Sequence, residues 1–181
     1  MNFIFRLLLT LNATSLLIIL FIVQKGYTLE CFFTQWDFLK DLPNLVSYVI
    51  YLSIPCFLTG TTILLSSRLG KEEFKRGEVV SLEHANNSFL PSYLGYFFVA
   101  LSIQNIETLI VVYGLLFVFT FLSQALYFNP LFLIFGFEFY NIKTKSGLTV
   151  FLISKEKYKT PKDLCIPRAY KINNHTFIER N

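Results

Sequence analysis

Apolar residues gather along the chain in long blocks separated by polar or charged segments, and the block lengths set the first expectation. A helix needs about 20 apolar residues to cross the hydrocarbon core of a bilayer. Four stretches are assigned as spans on this basis: about Phe3 to Val23, Leu45 to Ser66, Phe89 to Ile103 and Thr108 to Phe128. The first carries Arg6 near its start, where a long side chain can snorkel to the headgroups, and Asn12 and Ser15 inside the run. It is longer than an ordinary signal-peptide core and ends at Gln24, Lys25 and Gly26 with no small-residue cleavage pattern, so it reads as a retained span. The second contains Pro55 and Gly60, which membrane helices tolerate when neighbours satisfy the freed backbone groups, and a kink near Pro55 is expected. Only Gln104, Asn105, Ile106 and Glu107 separate the third and fourth, which predicts a tight antiparallel hairpin.

After Asn129 and Pro130 the period of the pattern changes. The run FEFYNIKTKSGLTVFLIS alternates apolar and polar positions with Ser146 and Gly147 at its turn, which predicts a β-hairpin, and CIPRAYKINNHTFIER has room for one or two more strands around Asn173 and Asn174. Phe139, Ile142, Val150, Leu152, Ile166 and Ile178 are its expected core. A β-fold of about 45 residues is marginal alone, so it is expected to lean on the helices, on copies of itself or on a partner. The fold class is therefore an α-helical membrane protein with four transmembrane helices and a small C-terminal cytoplasmic all-β domain, divided at residues 1–130 and 131–181.

Composition supports the membrane class: 54% of the residues are hydrophobic, 15% are charged, and 21 are Phe, more than one modest soluble core would bury. Charge placement then sets the orientation, because Lys and Arg are retained in the cytoplasm. The first loop holds Lys25 and Lys40, whereas Arg6, Arg68, Lys71, Lys75 and Arg76, with nine Lys or Arg residues from Lys143 onward, lie on the other side. Both termini are assigned to the cytoplasm, with the protein multi-pass in a bacterial inner membrane.

Three segments outside the spans carry distinctive side chains. In the external loop Phe32, Phe33, Trp36 and Leu39 fall at helix-like spacing among acidic residues, which fits a short amphipathic helix used either as an interfacial aromatic belt or as a sensing and packing surface. The loop SSRLGKEEFKRGEVVSLEHANNS is expected as a short solvated helix or turn with a pair such as Glu72 with Arg76, and His84 stands beside Glu83. In the tail, Lys155, Lys157, Lys159 and Lys162, followed by Arg168, form a basic run suited to lipid headgroups or to an acidic protein surface; with no recognised reading module, direct nucleic-acid binding is not expected. Pro55, Gly60 and Pro130 are candidate hinges.

No constellation for catalysis is legible: HExxH, Walker A and GxSxG runs are missing, and no Cys and His stand at nucleophile spacing. Cys31, Cys56 and Cys165 lie in three different contexts and read as unpaired thiols. No catalytic residue, metal site or cofactor is expected, and the chain reads as a non-enzyme.

The layout of the spans, the Asn-Pro exit YFNPLFLIFGFEFYNIKTKSG and the hairpin LTVFLISKEK resemble KwaA, the membrane-subunit family of the bacterial Kiwa anti-phage system. The resemblance implies a homo-oligomeric inner-membrane component, a tetramer, that detects phage attachment or injection. It also implies a cytoplasmic partner subunit, KwaB, a soluble DNA-binding effector that the membrane subunit recruits or licenses. A change in bilayer tension or thickness would alter helix tilt and reposition the domain after Pro130. Two other readings remain: an oligomeric pore with Asn12, Ser47, Thr61 and Ser123 lining a passage, and an accessory membrane anchor of an unrelated complex.

Overall fold

The computed structural model of the chain describes residues 3–87, 90–123 and 129–180. The element order is α1 (Phe3–Gln24), α2 (Leu29–Phe32), α3 (Asn44–Leu65), β1 (Lys71–Phe74), β2 (Val79–His84), α4 (Leu90–Ser102), α5 (Ile106–Ser123), α6 (Leu131–Ile134), β3 (Glu138–Thr144), β4 (Thr149–Ser154), β5 (Ile166–Asn173) and β6 (Thr176–Glu179). These elements form two compact units, one from residues 6–59 and 90–129, the other from residues 60–89 and 130–181 with the first five.

The fold class differs from the expectation in two respects. Three helices among the described residues, α1, α3 and α5, are long and apolar enough to cross a membrane, not four. The stretch assigned as the third span forms only the 13 residues of α4. At 1.5 Å per residue that is about 20 Å, against a hydrocarbon core of about 30 Å. The physical reason is in the run itself, because the apolar residues stop at Ile103 before Gln104 and Asn105. Its expected first residue, Phe89, and the last five of the expected fourth span, residues 124–128, lie outside the described residues.

Within the helical unit, Leu17 and Phe21 of α1 pack against Ala100 and Ile103, with Leu109, Val112, Tyr113 and Leu116 around them. Polar groups inside this unit are tied to one another. The Thr59 hydroxyl accepts from Asn12 Nδ2 at 2.8 Å and from Asn129 Nδ2 at 3.3 Å, and donates to the Pro55 carbonyl at 2.8 Å. Thr14 Oγ1 and the Tyr113 hydroxyl meet at 3.2 Å, and Arg6 donates to the Phe121 carbonyl while its guanidinium lies 4.7 Å from the Phe121 ring centre. Such bonds are what a polar group needs where water is scarce.

The second correction concerns the sheet. It has six strands in the order β1-β5-β6-β4-β3-β2, and two of them come from the loop between α3 and α4. In place of the solvated helix or turn expected there, β1 pairs antiparallel with β5, placing Lys71 opposite Tyr170, and β2 pairs antiparallel with β3, placing Leu82 opposite Ile142. The short alternation VVSLEH is a strand signal, but its charged flanks and its distance from the tail hid its partner. Within the sheet only β4 and β6 run parallel.

The two edge strands are consecutive in the chain, and this fixes the sheet's shape. Six flat strands about 4.8 Å apart would set the edges about 24 Å from each other. The turn from Phe74 to Val79 spans at most about 18 Å even fully extended. The sheet must therefore curl, and Gly77, with φ at +80°, makes the turn in a conformation other residues resist. The Lys145 amide donates to the Glu78 carbonyl at 2.9 Å, fastening that turn to the next hairpin. Gly147, with φ at +82°, makes the β3–β4 turn as expected.

Inside the curl lie Phe74, Val79, Tyr140, Ile142, Val150, Leu152, Ile166, Ala169 and Phe177, with Leu164 and Tyr158 from the β4–β5 connection. Phe74 and Phe177 meet edge to face with ring centres 5.2 Å apart. The opposite face is buried too: Phe139 pairs with Ile153, which pairs with Ile178, and Phe132 of α6 packs its ring on Phe139 and Phe137 at 6.3 and 5.9 Å. All six core residues named from the sequence are buried, divided between the two faces. Because β2 and β3 are neighbours, the segment holding α4 and α5 leaves this sheet and rejoins it.

Candidate functional site

The sheet unit carries a network of carboxylates, phenols and cations around the β4–β5 connection. Register sets His84 opposite Tyr140, and Glu138 lies two residues before Tyr140 on the same strand face. Glu138 Oε2 accepts from the Tyr140 hydroxyl at 2.9 Å and lies 3.0 Å from His84 Nε2, while Lys157 Nζ stands 3.5 Å from the other oxygen. The sequence neighbour Glu83 is thus not the acid that meets His84. Burial opposes ionisation of Glu138, but Tyr140, His84 and Lys157 together outweigh it and hold the carboxyl below its ordinary value. Burial, then the bond to Glu138, pushes the Tyr140 phenol up to about 12.

A second carboxylate, Glu179 of β6, is almost wholly buried. The Tyr158 hydroxyl reaches its two oxygens at 2.8 and 3.0 Å, and Ser154 Oγ donates to it as well. Burial raises its affinity for a proton despite those donors. Tyr158 in turn is pushed up, by burial first and then by Glu179. The Tyr158 amide donates to the Tyr140 oxygen at 3.2 Å, so the two networks join and pin residues 154–158 to the sheet. Chemically this is a clamp, with hydroxyls donating to carboxylates and no base poised on a nucleophile. Among the described residues no group of three His, Cys, Asp or Glu is placed to hold a metal ion.

That clamp displays the basic run, but its members diverge. Lys157 leans on Glu138, Lys159 and Lys162 are exposed, and Arg168 is exposed on β5. Lys155 instead lays its ammonium 5.0 Å from the centre of the Phe137 ring. Two further cations join the site: Arg76, named from the sequence only as a partner for Glu72, whose Nε donates to the Lys162 carbonyl at 3.3 Å, and Lys171, paired with Glu72 at 2.9 Å. The expected Glu72–Arg76 pair gives way to these contacts because an extended chain sets residues four apart about 13 Å from each other, where a helical turn would bring them together.

In the helical unit the loop after α1 holds the aromatic residues. The amphipathic helix expected there is reduced to the single turn of α2 and a 3-10 turn at Asp37–Leu39. Phe33 stacks on Trp36 at 5.6 Å and Trp36 on Phe38 at 5.8 Å, and Phe32 meets Tyr27 and Tyr51 edge to face at 6.3 Å. Phe32, Phe33, Trp36 and Phe38 are exposed, whereas Leu39 is buried. Phe38, absent from the spacing pattern, completes the ladder.

Of the three candidate hinge residues, Pro55 lies inside α3 and its carbonyl is held by Thr59. Gly60 and Pro130 are the residues at which the chain passes from the helical unit to the sheet unit. A methyl at Gly60 would meet the Phe135 ring at 3.6 Å, an ordinary contact, so the glycine is not demanded by space.

Three helices of spanning length among the described residues, joined in one chain to a basic curled sheet, define a helical protein with an appended β-sheet unit. The family model for the anti-phage protein KwaA matches residues 5–178, nearly the whole chain, and the chain belongs to that family. It is thus an anti-phage defence protein. Searches of curated proteins and of solved structures returned no match.

Proposed function

We propose that this chain is the membrane-embedded scaffold of an anti-phage defence complex, with α1 and α3 crossing the inner membrane, the segment that holds α4 and α5 entering it and returning to the side it left, and the basic sheet unit in the cytoplasm as the seat of an effector subunit. One observation carries the reading. The two basic segments, residues 68–76 and 143 onward, are far apart in sequence yet build one sheet, so fourteen of the sixteen Lys and Arg residues, Arg6 included, fall on the side assigned to the cytoplasm. The pairing of β1 with β5 and of β2 with β3 requires those segments to share a side, which agrees with the orientation that charge alone favours.

The exposed cations Lys159, Lys162 and Arg168 form the surface for an acidic face of the effector, the KwaB subunit that the family resemblance implies as a partner, with the protein assembled as a homo-oligomer. The aromatic ladder Phe33, Trp36 and Phe38 anchors the opposite interface, where a change in the bilayer or in its attached proteins is first felt. Asn12 and Ser47 weigh towards a scaffold and against a pore lining, since Asn12 is spent on Thr59 and the Ser47 hydroxyl accepts from the Leu29 amide at 3.1 Å.

The test is co-purification of the effector with the full-length protein from membranes. Replacing Lys159, Lys162 and Arg168 together by Glu should release the effector while the protein stays in the membrane fraction and phage protection is lost. Retention of both binding and protection in that triple variant would refute the assignment of this surface.

A further inference from the structure

At one side of the sheet unit a cavity of about 250 Å³ opens between the last turns of α3 and the strand ends, lined by Ile63, Phe137, Lys155, Glu156, Glu179 and Arg180. Two cations border it, and neither has a carboxylate partner among the described residues. Arg180 is anchored by one terminal nitrogen to the Ile63 and Leu64 carbonyls in the last turn of α3 at 3.0 and 3.1 Å, which leaves the rest of its donor fork for another acceptor. Lys155 is held over the Phe137 ring beside it. The acids do not cancel them equally. Glu179 turns both oxygens to the Tyr158 and Ser154 hydroxyls and away from the cations, and Glu156 is exposed, where solvent screens its charge. The remaining walls, Ile63 and Phe137, are apolar, and Leu64 and Ile134 of the same unit are strongly exposed at 65% and 70%.

We propose that this cavity is a binding site for a phosphate-bearing anion, with Arg180 supplying a planar fork and Lys155 a point charge, and that the occupant is the phosphodiester headgroup of an anionic phospholipid. The volume is just below the range of about 300–1,000 Å³ typical of pockets for larger organic ligands, a size suited to a single headgroup. Leu64 and Ile134 give the attached chains an apolar surface to lie on. The lipid source rests on the membrane reading above: Ile63 and Leu64 end a helix of spanning length, which is where headgroups stand if α3 crosses. This site is distinct from the exposed run Lys159 to Arg168, and of the lysines in the tail it uses Lys155 alone.

The experiment uses the full chain in detergent, titrated with dioctanoyl phosphatidylglycerol, dioctanoyl phosphatidylcholine or inorganic phosphate, and read by native mass spectrometry and ligand-induced thermal shift. Wild type should bind one phosphatidylglycerol per protomer in preference to phosphatidylcholine. Lys155→Gln should weaken that binding roughly tenfold, the scale of one lost charge-assisted contact, and Lys159→Gln should not. Arg180→Lys, which keeps the charge and a donor for the α3 carbonyls, should weaken it with little change in unliganded melting temperature. Phosphate that binds with the same dependence on Lys155, where phosphatidylglycerol does not, would uphold the anion site and replace the lipid with a soluble phosphate. Equal binding of both lipids, or phosphatidylglycerol and phosphate binding untouched by Lys155→Gln, would overturn the proposal. Fractionation of wild type tests the membrane reading separately, because a chain found outside the membrane fraction would fail that reading whatever the titration gives.

Discussion

Replacing Phe74 by Ala probes the sheet where the structure departs most from the linear pattern of the chain. Phe74 lies between α3 and α4, more than sixty positions before the β3 strand, yet it is buried inside the curl and meets Phe177 edge to face. Truncating a buried Phe costs about 3–5 kcal/mol, which already includes the lost aromatic contact, itself worth about 0.5–1.5 kcal/mol. Against a total of about 5–15 kcal/mol for a domain, that removes a large share of the sheet's stability. At about 1.4 kcal/mol per factor of ten, a loss of 3 kcal/mol raises the opened population more than roughly a hundredfold. Hydrogen exchange read by mass spectrometry on the full chain should therefore show the amides of Val150–Ile153 and Phe177–Ile178 exchanging about a hundredfold faster in Phe74→Ala. Val80→Ala, at an exposed position of β2, is the control and should leave them unchanged. If exchange in residues 138–179 stays at its wild-type rate while residues 71–84 become unprotected, the C-terminal strands fold without β1 and the six-stranded description fails.

Other predictions test the polar groups. Thr59→Val deprives Asn12 and Asn129 of a shared acceptor, so it should cost about 1–2 kcal/mol in unfolding from mixed micelles, with Thr59→Ser recovering most of it; equal stability of the Val variant would refute the network. Glu138 has its proton affinity lowered on folding, so its stabilisation is present above the ordinary carboxylate value of 4.5 and fades as pH falls through its folded value; wild type should lose melting temperature more steeply than Glu138→Gln on that acid limb. Tyr140 works in the other direction, since its phenol is raised from 10 to about 12, so the sheet should weaken as pH rises across that interval and Tyr140→Phe should lack the slope.

How much of this was legible follows from which patterns are local. The β3–β4 hairpin was readable because alternation and a Ser-Gly turn sit side by side, and the same alternation named Phe139, Ile142, Val150 and Leu152 as core. The strands β1 and β2 were not, because their partners lie beyond α4, α5 and α6 and a four-residue strand such as KEEF shows almost no period of its own. Without those strands the tail looked like a marginal fold that needed support, and the support turned out to be the preceding loop. The span count failed for a related reason: a run of apolar residues was equated with a crossing, although α4 ends where Gln104 and Asn105 begin. The carboxylate clamp was hidden entirely, since Glu138 meets His84 and Glu179 meets Tyr158 only through cross-strand register and the path of the β4–β5 connection. The aromatic residues of the first loop were visible as a group, but the helix-like spacing that singled them out took in the buried Leu39 and passed over Phe38.

The central claim, that membrane-spanning helices hold the sheet unit on the cytoplasmic side, can be read with the protein's own thiols. Cys31 is exposed in the loop after α1 and Cys165 is exposed beside β5, and both are free. Variants retaining only one of them, expressed in cells with a permeabilised outer membrane, are treated with a membrane-impermeant maleimide. The account predicts that Cys31 is modified in intact spheroplasts and Cys165 only after the inner membrane is broken; modification of Cys165 in intact spheroplasts would contradict it.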